Sequence, residues 1–333
     1  MEDRPLNENA SLHDGYGRLI DYLRMSVTDR CNLRCFYCMP ECGVPFLPPE
    51  KILSYEELLR LADIFLNLGV KKIRITGGEP LVRKNILYLF DELGSRSSLE
   101  ELTLTTNGTM LTENIHDLYG AGVRRINVSL DSLDRKRYVR VTGEDFFTRV
   151  LGGIELARAL EMHVKLNVVA MKGVNDHEFA EFVQFGIERN IDVRFIEVMP
   201  HSGNTDIAGG IYISSGKIQE EIKKRFELRP AKNDERSTTA RSFYVGESGV
   251  KVGFISAVSH PFCAYCNKVR ITPDGTFRTC LFSESGINLK EMISRGGSDE
   301  EIEAVIRRAV RKKPLQHRLS EMGEGLIMHR VGG

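Results

Sequence analysis

From about residue 23 to residue 200 the sequence alternates short apolar runs with amphipathic stretches, and this alternation limits the fold more than any other feature. Strands are expected at residues 23–28, 72–76, 101–105, 124–130, 164–170 and 193–198. Helical patterns lie between them. The clearest starts at Ser54, where Glu57 completes a capping box, and ends near Gly69. Its Leu58, Ala62, Phe65 and Leu66 recur at helical spacing and form one apolar face. Further helices are expected near 85–94, 113–120, 147–162 and 176–190. Repeated strand–helix units specify a parallel sheet. Six units are visible, where a complete barrel has eight, so the pattern admits a partial barrel and a doubly wound open sheet alike.

Residues 201–216 contain Gly and Ser and read as a mobile loop leading out of the repeats. Beyond it the alternation stops. A helix near 216–226, a polar stretch at 231–241 and β-like runs follow, then a last helix from Ser298, with Glu301 completing its capping box. The chain is therefore divided into a larger domain, 1–225, and a smaller one, 226–333, which its length of 333 residues accommodates. The formal net charge is zero, so no global field draws the protein to nucleic acid or to a membrane. Any bound anion must be held by local charges. No apolar run approaches the roughly 20 residues of a membrane helix. Residues 1–20 are polar, without the apolar segment of a signal peptide. Free thiols then point to a reducing cytoplasm.

The seven cysteines fall in two groups. The first is Cys31-Asn32-Leu33-Arg34-Cys35-Phe36-Tyr37-Cys38. Three thiolates so close can hold three corners of a cubane iron–sulfur cluster and leave the fourth iron open, whereas four thiolates are the common complement. Such a run suits chemistry at the vacant iron better than electron storage. Zinc is the competing reading, but zinc sites usually pair two CxxC-like knuckles, a pattern this run does not repeat. Cys42 falls outside the spacing and is taken as a bystander.

CxxxCxxC with the aromatic Tyr37 before its last cysteine resembles the signature of radical S-adenosylmethionine (SAM) enzymes. The longer string from Leu23 through Cys31 to Cys38-Met39-Pro40 resembles the GTP 3′,8-cyclase family, which performs the first step of molybdenum cofactor biosynthesis, and the likeness runs nearly the whole chain. The resemblance implies an α/β fold, an incomplete (β/α)6 TIM-like barrel with its site at the C-terminal strand ends, and a smaller C-terminal cluster-binding domain. It implies two [4Fe–4S] clusters and SAM as cofactors, and a lyase that cyclises GTP to (8S)-3′,8-cyclo-7,8-dihydroguanosine 5′-triphosphate. A homodimer, an external electron donor and a downstream cyclic pyranopterin monophosphate synthase are the implied partners, with no nucleic acid and no membrane.

After the second strand comes Thr76-Gly77-Gly78-Glu79-Pro80, where two glycines let the backbone approach a ligand and Glu79 can accept from an ammonium. Gly-Gly before Pro is also simply a turn. By the resemblance this is the SAM-methionine loop. Gly78, Ser129 and Met199 would then line the cofactor site and Tyr37 would pack near the adenine. Taken singly, Ser129 and Met199 read as structural residues.

The second cysteine group is Cys263, Cys266 and Cys280. Spacing alone leaves zinc, with His260 as a fourth ligand, level with a second cluster. The resemblance favours the cluster, whose open iron would take the guanine of GTP. Arg24, Lys72, Arg74, Lys165 and Arg194 sit inside otherwise apolar strands. Burying unpaired charge there is costly, so together they suggest a polyanion site. The alternative is that they reach solvent or pair with carboxylates such as Glu197. The resemblance assigns these five, Thr105, Lys268 and Arg270 to GTP. Some family members carry two arginines between Cys266 and Arg270, whereas this chain has Lys268, which keeps the charge but loses the guanidinium fork.

The terminal Gly332-Gly333 reads as a frayed end, while the resemblance implies a tail reaching the catalytic cavity. Two other functions compete with this one. A nucleic-acid-binding protein with structural thiolates lacks a basic excess. Another two-cluster radical SAM enzyme, such as a peptide-modifying maturase, would carry more C-terminal cysteines.

Overall fold

The computed structural model describes residues 11–39, 43, 45–200, 205–231, 239–283, 286–317 and 328–331. The chain enters through β1 (Tyr22–Ser26), α1 (Tyr55–Asn67), β2 (Lys72–Thr76), α2 (Ile86–Gly94), β3 (Glu101–Thr106), α3 (Leu111–Gly120) and β4 (Arg125–Ser129). Then come α4 (Arg135–Thr142), α5 (Phe147–Ala159), β5 (His163–Ala170), α6 (Phe179–Arg189), β6 (Asp192–Glu197), α7 (Thr205–Ile211) and α8 (Ser215–Lys223). Short strands follow: β7 (Leu228–Pro230), β8 (Arg241–Val245), β9 (Lys251–Ile255), β10 (Lys268–Ile271), β11 (Thr276–Arg278) and β12 (Ile287–Asn288). The described chain closes with α9 (Leu289–Ser294), α10 (Asp299–Arg311) and α11 (Met328–Val331).

Helix starts follow local chemistry. Ser54 and Glu57 form a complete capping box on α1, and Ser298 and Glu301 form another on α10. Each satisfies two amide donors that a bare helix end leaves orphaned. Helix α4 was not expected, because its sequence is dominated by charged residues. Asp134 caps it by accepting from Arg137 N at 2.8 Å, and Gly143 at φ 78° ends it. Of the loop expected at 201–216, residues 201–204 lie outside the described residues and the remainder holds helix α7, so that expectation is corrected.

All strands belong to one 12-stranded sheet in the order β12-β11-β10-β1-β2-β3-β4-β5-β6-β9-β8-β7. Neighbours from β10 through β9 are parallel, while β11–β12 and β8–β7 add antiparallel flaps. Among the described residues the two edges do not pair, so the parallel sheet is an incomplete barrel. Strands that follow residue 225 thus extend both edges, β10 beside β1 and β9 beside β6.

Side chains alternate along each strand. Leu23, Ile73, Ile75, Leu104, Ile126, Val128, Leu166, Val193, Phe195, Val252 and Val269 are fully buried on one face. They pack beneath the helices, with Phe195 5.1 Å from Phe179 across the β6–α6 contact. Burying each such side chain contributes roughly 1.5–3 kcal/mol. The opposite face carries Tyr22 and Arg24, Lys72 and Arg74, Arg125 and Asn127, Lys165 and Asn167, and Lys268 and Arg270. A parallel sheet normally reads as continuously apolar. This one alternates because its inner face lines a lumen rather than a second hydrophobic layer. No helix among the described residues is long and apolar enough to cross a membrane.

Candidate active site

The lumen has two adjoining chambers. The first lies at the C-terminal ends of the strands and is lined by Cys31, Cys35, Cys38, Tyr37, Gly77, Gly78, Thr105, Ser129 and Met199. The cysteine loop is pinned from several sides. Arg34 N and Phe36 N donate to Thr142 O and Val141 O of α4 at 2.8 and 3.2 Å. Asn107 Nδ2 donates to Asn32 Oδ1 at 2.9 Å and approaches Cys31 Sγ at 3.7 Å. Tyr37 donates its hydroxyl to Asp131 Oδ2 at 2.7 Å, and Asp131 Oδ1 also accepts from Val169 N at 2.8 Å. Burial pushes the Cys31 thiol up to about 11 and Cys38 to about 12, and raises Cys35 as well. Three clustered, desolvated thiols suit a group that brings its own positive charge. Among the described residues, no three His, Cys, Asp or Glu side chains converge as a single metal ion requires.

The glycine loop differs from expectation. A Cβ on Gly78 would collide with the Arg30 carbonyl, and one on Gly77 would lie 2.8 Å from Thr28 O. Gly78 N and Glu79 N donate to Thr28 O and Arg30 O at 2.7 and 2.8 Å. The glycines therefore allow close approach to the strand-end backbone, which fixes their position on the chamber wall. Glu79 is fully buried and does not await an ammonium. Its oxygens accept from Leu81 N at 3.1 Å, Thr106 Oγ1 at 2.8 Å and Asn107 N at 2.6 Å. Burial lifts its carboxyl to about 7 against those hydrogen bonds.

Farther down the strands lies the second chamber. Arg24, Lys72, Arg74, Lys165, Arg194, Lys268 and Arg270 line it together with Cys263, Cys266 and Cys280. Asn167, Ile196, Met199 and Met328 line both chambers, so the two adjoin. Thr105 lies at the junction: it faces the first chamber and accepts from Arg74 Nη1 at 3.1 Å. No carboxylate lines the second chamber among the described residues. At its far rim Glu101 pairs with Lys72 at 2.6 Å and Arg125 at 3.1 Å, and Asp192 pairs with Lys165 at 3.1 Å. Burial presses the ammonium groups of Lys165 and Lys268 down to about 8. Desolvated cations facing one space are costly unless an anion joins them.

The second triad has different electrostatics. Burial raises Cys263, whereas at Cys266 the cations Lys313 and Lys268 outweigh burial and pull the thiol down. Lys313 is itself buried and donates to Lys268 O at 2.9 Å and to Thr279 O. His260, weighed as a zinc ligand, sits near Ser259 Oγ at 3.1 Å and does not line the chamber, whereas His317 does. Glu197 pairs with none of the cations among the described residues. It accepts from Ser215 N at 2.8 Å, Val258 N at 3.0 Å and Ser259 N at 2.9 Å, fastening β6 to the loop after β9.

Sequence reasoning missed Tyr22, Arg125, Asn127, Asn167, Lys313 and His317 on these walls. The period-two alternation of Arg125, Asn127 and Ser129 was a usable signal for the first two polar positions on β4. For Lys313 and His317 no local pattern existed. Cys42, Gly332 and Gly333 lie outside the described residues.

Residues 25–186 match the model of the radical SAM superfamily, and residues 191–319 match that of Molybdenum Cofactor Synthesis C. A GTP 3′,8-cyclase of Desulforamulus reducens is 43% identical over 323 residues, spanning 96% of this chain and 99% of the relative. One from Ectopseudomonas mendocina is 44% identical over 316 residues, spanning 92% and 93%. Among solved structures, Streptococcus suis SuiB bound to S-adenosylmethionine superposes with a TM-score of 0.58 at 18% identity, over 87% of this chain and 68% of that one, a likeness of fold alone. With near-full-length identity above two fifths, the chain belongs to the GTP 3′,8-cyclase family of radical SAM enzymes.

Proposed function

We infer that this chain is a radical SAM lyase that converts GTP to (8S)-3′,8-cyclo-7,8-dihydroguanosine 5′-triphosphate in molybdenum cofactor biosynthesis. The observation that carries the reading is that a thiol-lined chamber adjoins a cation-lined one through shared wall residues. A nucleoside triphosphate lying along this lumen has its phosphates among the cations and its ribose toward the first triad, the alignment that proximity catalysis needs.

Cys31, Cys35 and Cys38 would hold a [4Fe–4S] cluster, with Tyr37, Gly78, Ser129 and Met199 around SAM. When bound, the cluster and SAM supply one electron and a 5′-deoxyadenosyl radical able to take the ribose 3′ hydrogen. Arg24, Arg74, Arg194 and Arg270 offer guanidinium forks, and Lys72, Lys165 and Lys268 point charges, to the triphosphate. Thr105 adds a hydroxyl at the junction. Cys263, Cys266 and Cys280 fit a second [4Fe–4S] cluster facing the guanine, since neighbouring cations stabilise thiolate at Cys266.

The tail Gly332-Gly333 is proposed to enter the lumen, because α11 places Met328 on both chamber walls just before it. The functional division at about residue 225, cytoplasmic location, a homodimer, an external electron donor and a downstream cyclic pyranopterin monophosphate synthase complete the reading. Anaerobic reconstitution with iron and sulfide counting tests it. About eight irons per chain are expected for two cubanes, followed by GTP-dependent 5′-deoxyadenosine on adding SAM and reductant. Zinc in place of iron, or 5′-deoxyadenosine indifferent to GTP, overturns it.

A further inference from the structure

Tyr22 is 4% exposed and stands at the centre of the cations. Sheet register sets it opposite Lys72 on β2 and Lys268 on β10. Arg74 Nε donates to its hydroxyl at 2.5 Å. Lys72 Nζ and Lys268 Nζ lie 5.0 and 5.3 Å from its ring centroid, and the Arg74 guanidinium lies 6.0 Å away. The carboxylates Glu101 and Asp192 stand at the rim, paired with Lys72, Arg125 and Lys165. Among the described residues that line the chamber, the side chains able to carry negative charge are the Tyr22 phenol and the cysteines of the second triad.

We propose that Tyr22 is a further residue of the triphosphate site, serving as resident counter-ion among Arg24, Arg74, Lys72 and Lys268 in the free enzyme and as a neutral hydrogen-bond donor to phosphate once substrate binds. The inference rests on the GTP reading above. Burial raises the phenol, but Arg74, Arg24, Lys72 and Lys268 outweigh it and bring the group down to about 7. Its field also reaches Arg194 on β6 and Arg270 on β10, while Glu101 on β3 engages Lys72, and Cys266 faces Lys268. A triphosphate takes over these cations and repels a phenolate. One proton therefore passes from solvent to the Tyr22 oxygen, which keeps accepting from Arg74 and donates to phosphate. No other co-reactant is required.

Calorimetric titration of the reconstituted enzyme with GTP and with inorganic tripolyphosphate tests this, between about pH 6.5 and 8.5 in buffers of different ionisation enthalpy. Tyr22→Phe keeps the ring and the titrating lysines and removes only the hydroxyl. Wild type should take up more protons per ligand than the variant, by up to about one, and lose affinity more steeply, by up to about tenfold per pH unit. KM for GTP should follow, with kcat moving less. Incorporating 3-fluorotyrosine at position 22 should move the transition to lower pH, a readout that needs no change in packing. Equal proton uptake and equal slopes in wild type and Tyr22→Phe, or an unmoved transition with fluorotyrosine, overturn the role of Tyr22 and leave the GTP reading standing. Failure of wild type to bind either ligand overturns both.

Discussion

The carbonyl of Val331 accepts a hydrogen bond from Arg270 Nη1 at 3.2 Å, tying the last described turn of the chain to the cation-lined chamber. Arg330 Nη2 donates to Pro45 O at 2.6 Å and fastens the same turn near the loop that follows the first cysteine triad. The C-terminal turn is thus held at two points, and its Met328 lines both chambers.

Removing Gly332 and Gly333 should leave this anchoring intact while losing whatever the tail supplies. Turnover is expected to fall about a hundredfold or more, the scale of a misplaced reacting group. Iron and sulfide content should match wild type. Full product formation by the truncated enzyme, measured chromatographically, would exclude a role for the tail.

Arg74 touches three partners at once: Tyr22, Leu104 O at 3.1 Å and Thr105 Oγ1 at 3.1 Å. A lysine keeps the charge but cannot span them. Arg74→Lys should raise KM for GTP by roughly tenfold to a hundredfold, since hydrogen bonds to charged groups contribute about 1.5–3 kcal/mol. SAM binding, read separately by equilibrium dialysis, should change little. A variant with normal KM removes Arg74 from the phosphate site.

The two cysteine triads should separate by function. Cys31→Ser is expected to abolish SAM cleavage altogether. Cys263→Ser should still form 5′-deoxyadenosine but couple it poorly to GTP consumption. Each should retain about four irons per chain if each triad holds its own cubane. Loss of SAM cleavage in both variants to the same extent argues against separate roles.

Glu79 gives a pH dependence with a definite sign. Burial raises its folded-state value from 4.5 to about 7, so between those values the folded chain holds more protons than the unfolded one. The contribution to stability is then fully present below the unfolded value and is lost as pH rises through about 7. Glu79→Gln removes this titration and sets an amide donor among Asn107 N, Leu81 N and Thr106, at a cost of about 1–3 kcal/mol. Melting curves from about pH 6 to 8 should show the wild-type advantage shrinking with pH. An advantage that grows would fail the prediction.

Much of the fold was legible because the signals are local. The Ser54–Glu57 and Ser298–Glu301 boxes start helices α1 and α10 where four-residue patterns put them. Lys72-Ile73-Arg74-Ile75 alternates because one face meets helices and the other the lumen. Helix α4 escaped notice because its stability comes from the Asp134 cap and from Tyr138 buried against Phe147, not from an apolar stripe. Glu79 was misread because a carboxylate in a Gly-Gly-Glu-Pro turn looks available until Thr106 and Asn107 are brought to it from β3.

By itself the sequence determined residue-scale chemistry: cysteine spacing, cap boxes, and which strand positions share a face. Only the tertiary structure decided that the cations share one space. Arg24, Arg74, Arg194 and Arg270 lie on four strands, and only after β10 docks parallel to β1, with register Arg24 opposite Arg270, do they face one lumen. Period-two patterning fixes the side of a strand but not its neighbour or register, which are set by long-range pairing once the loops between have closed.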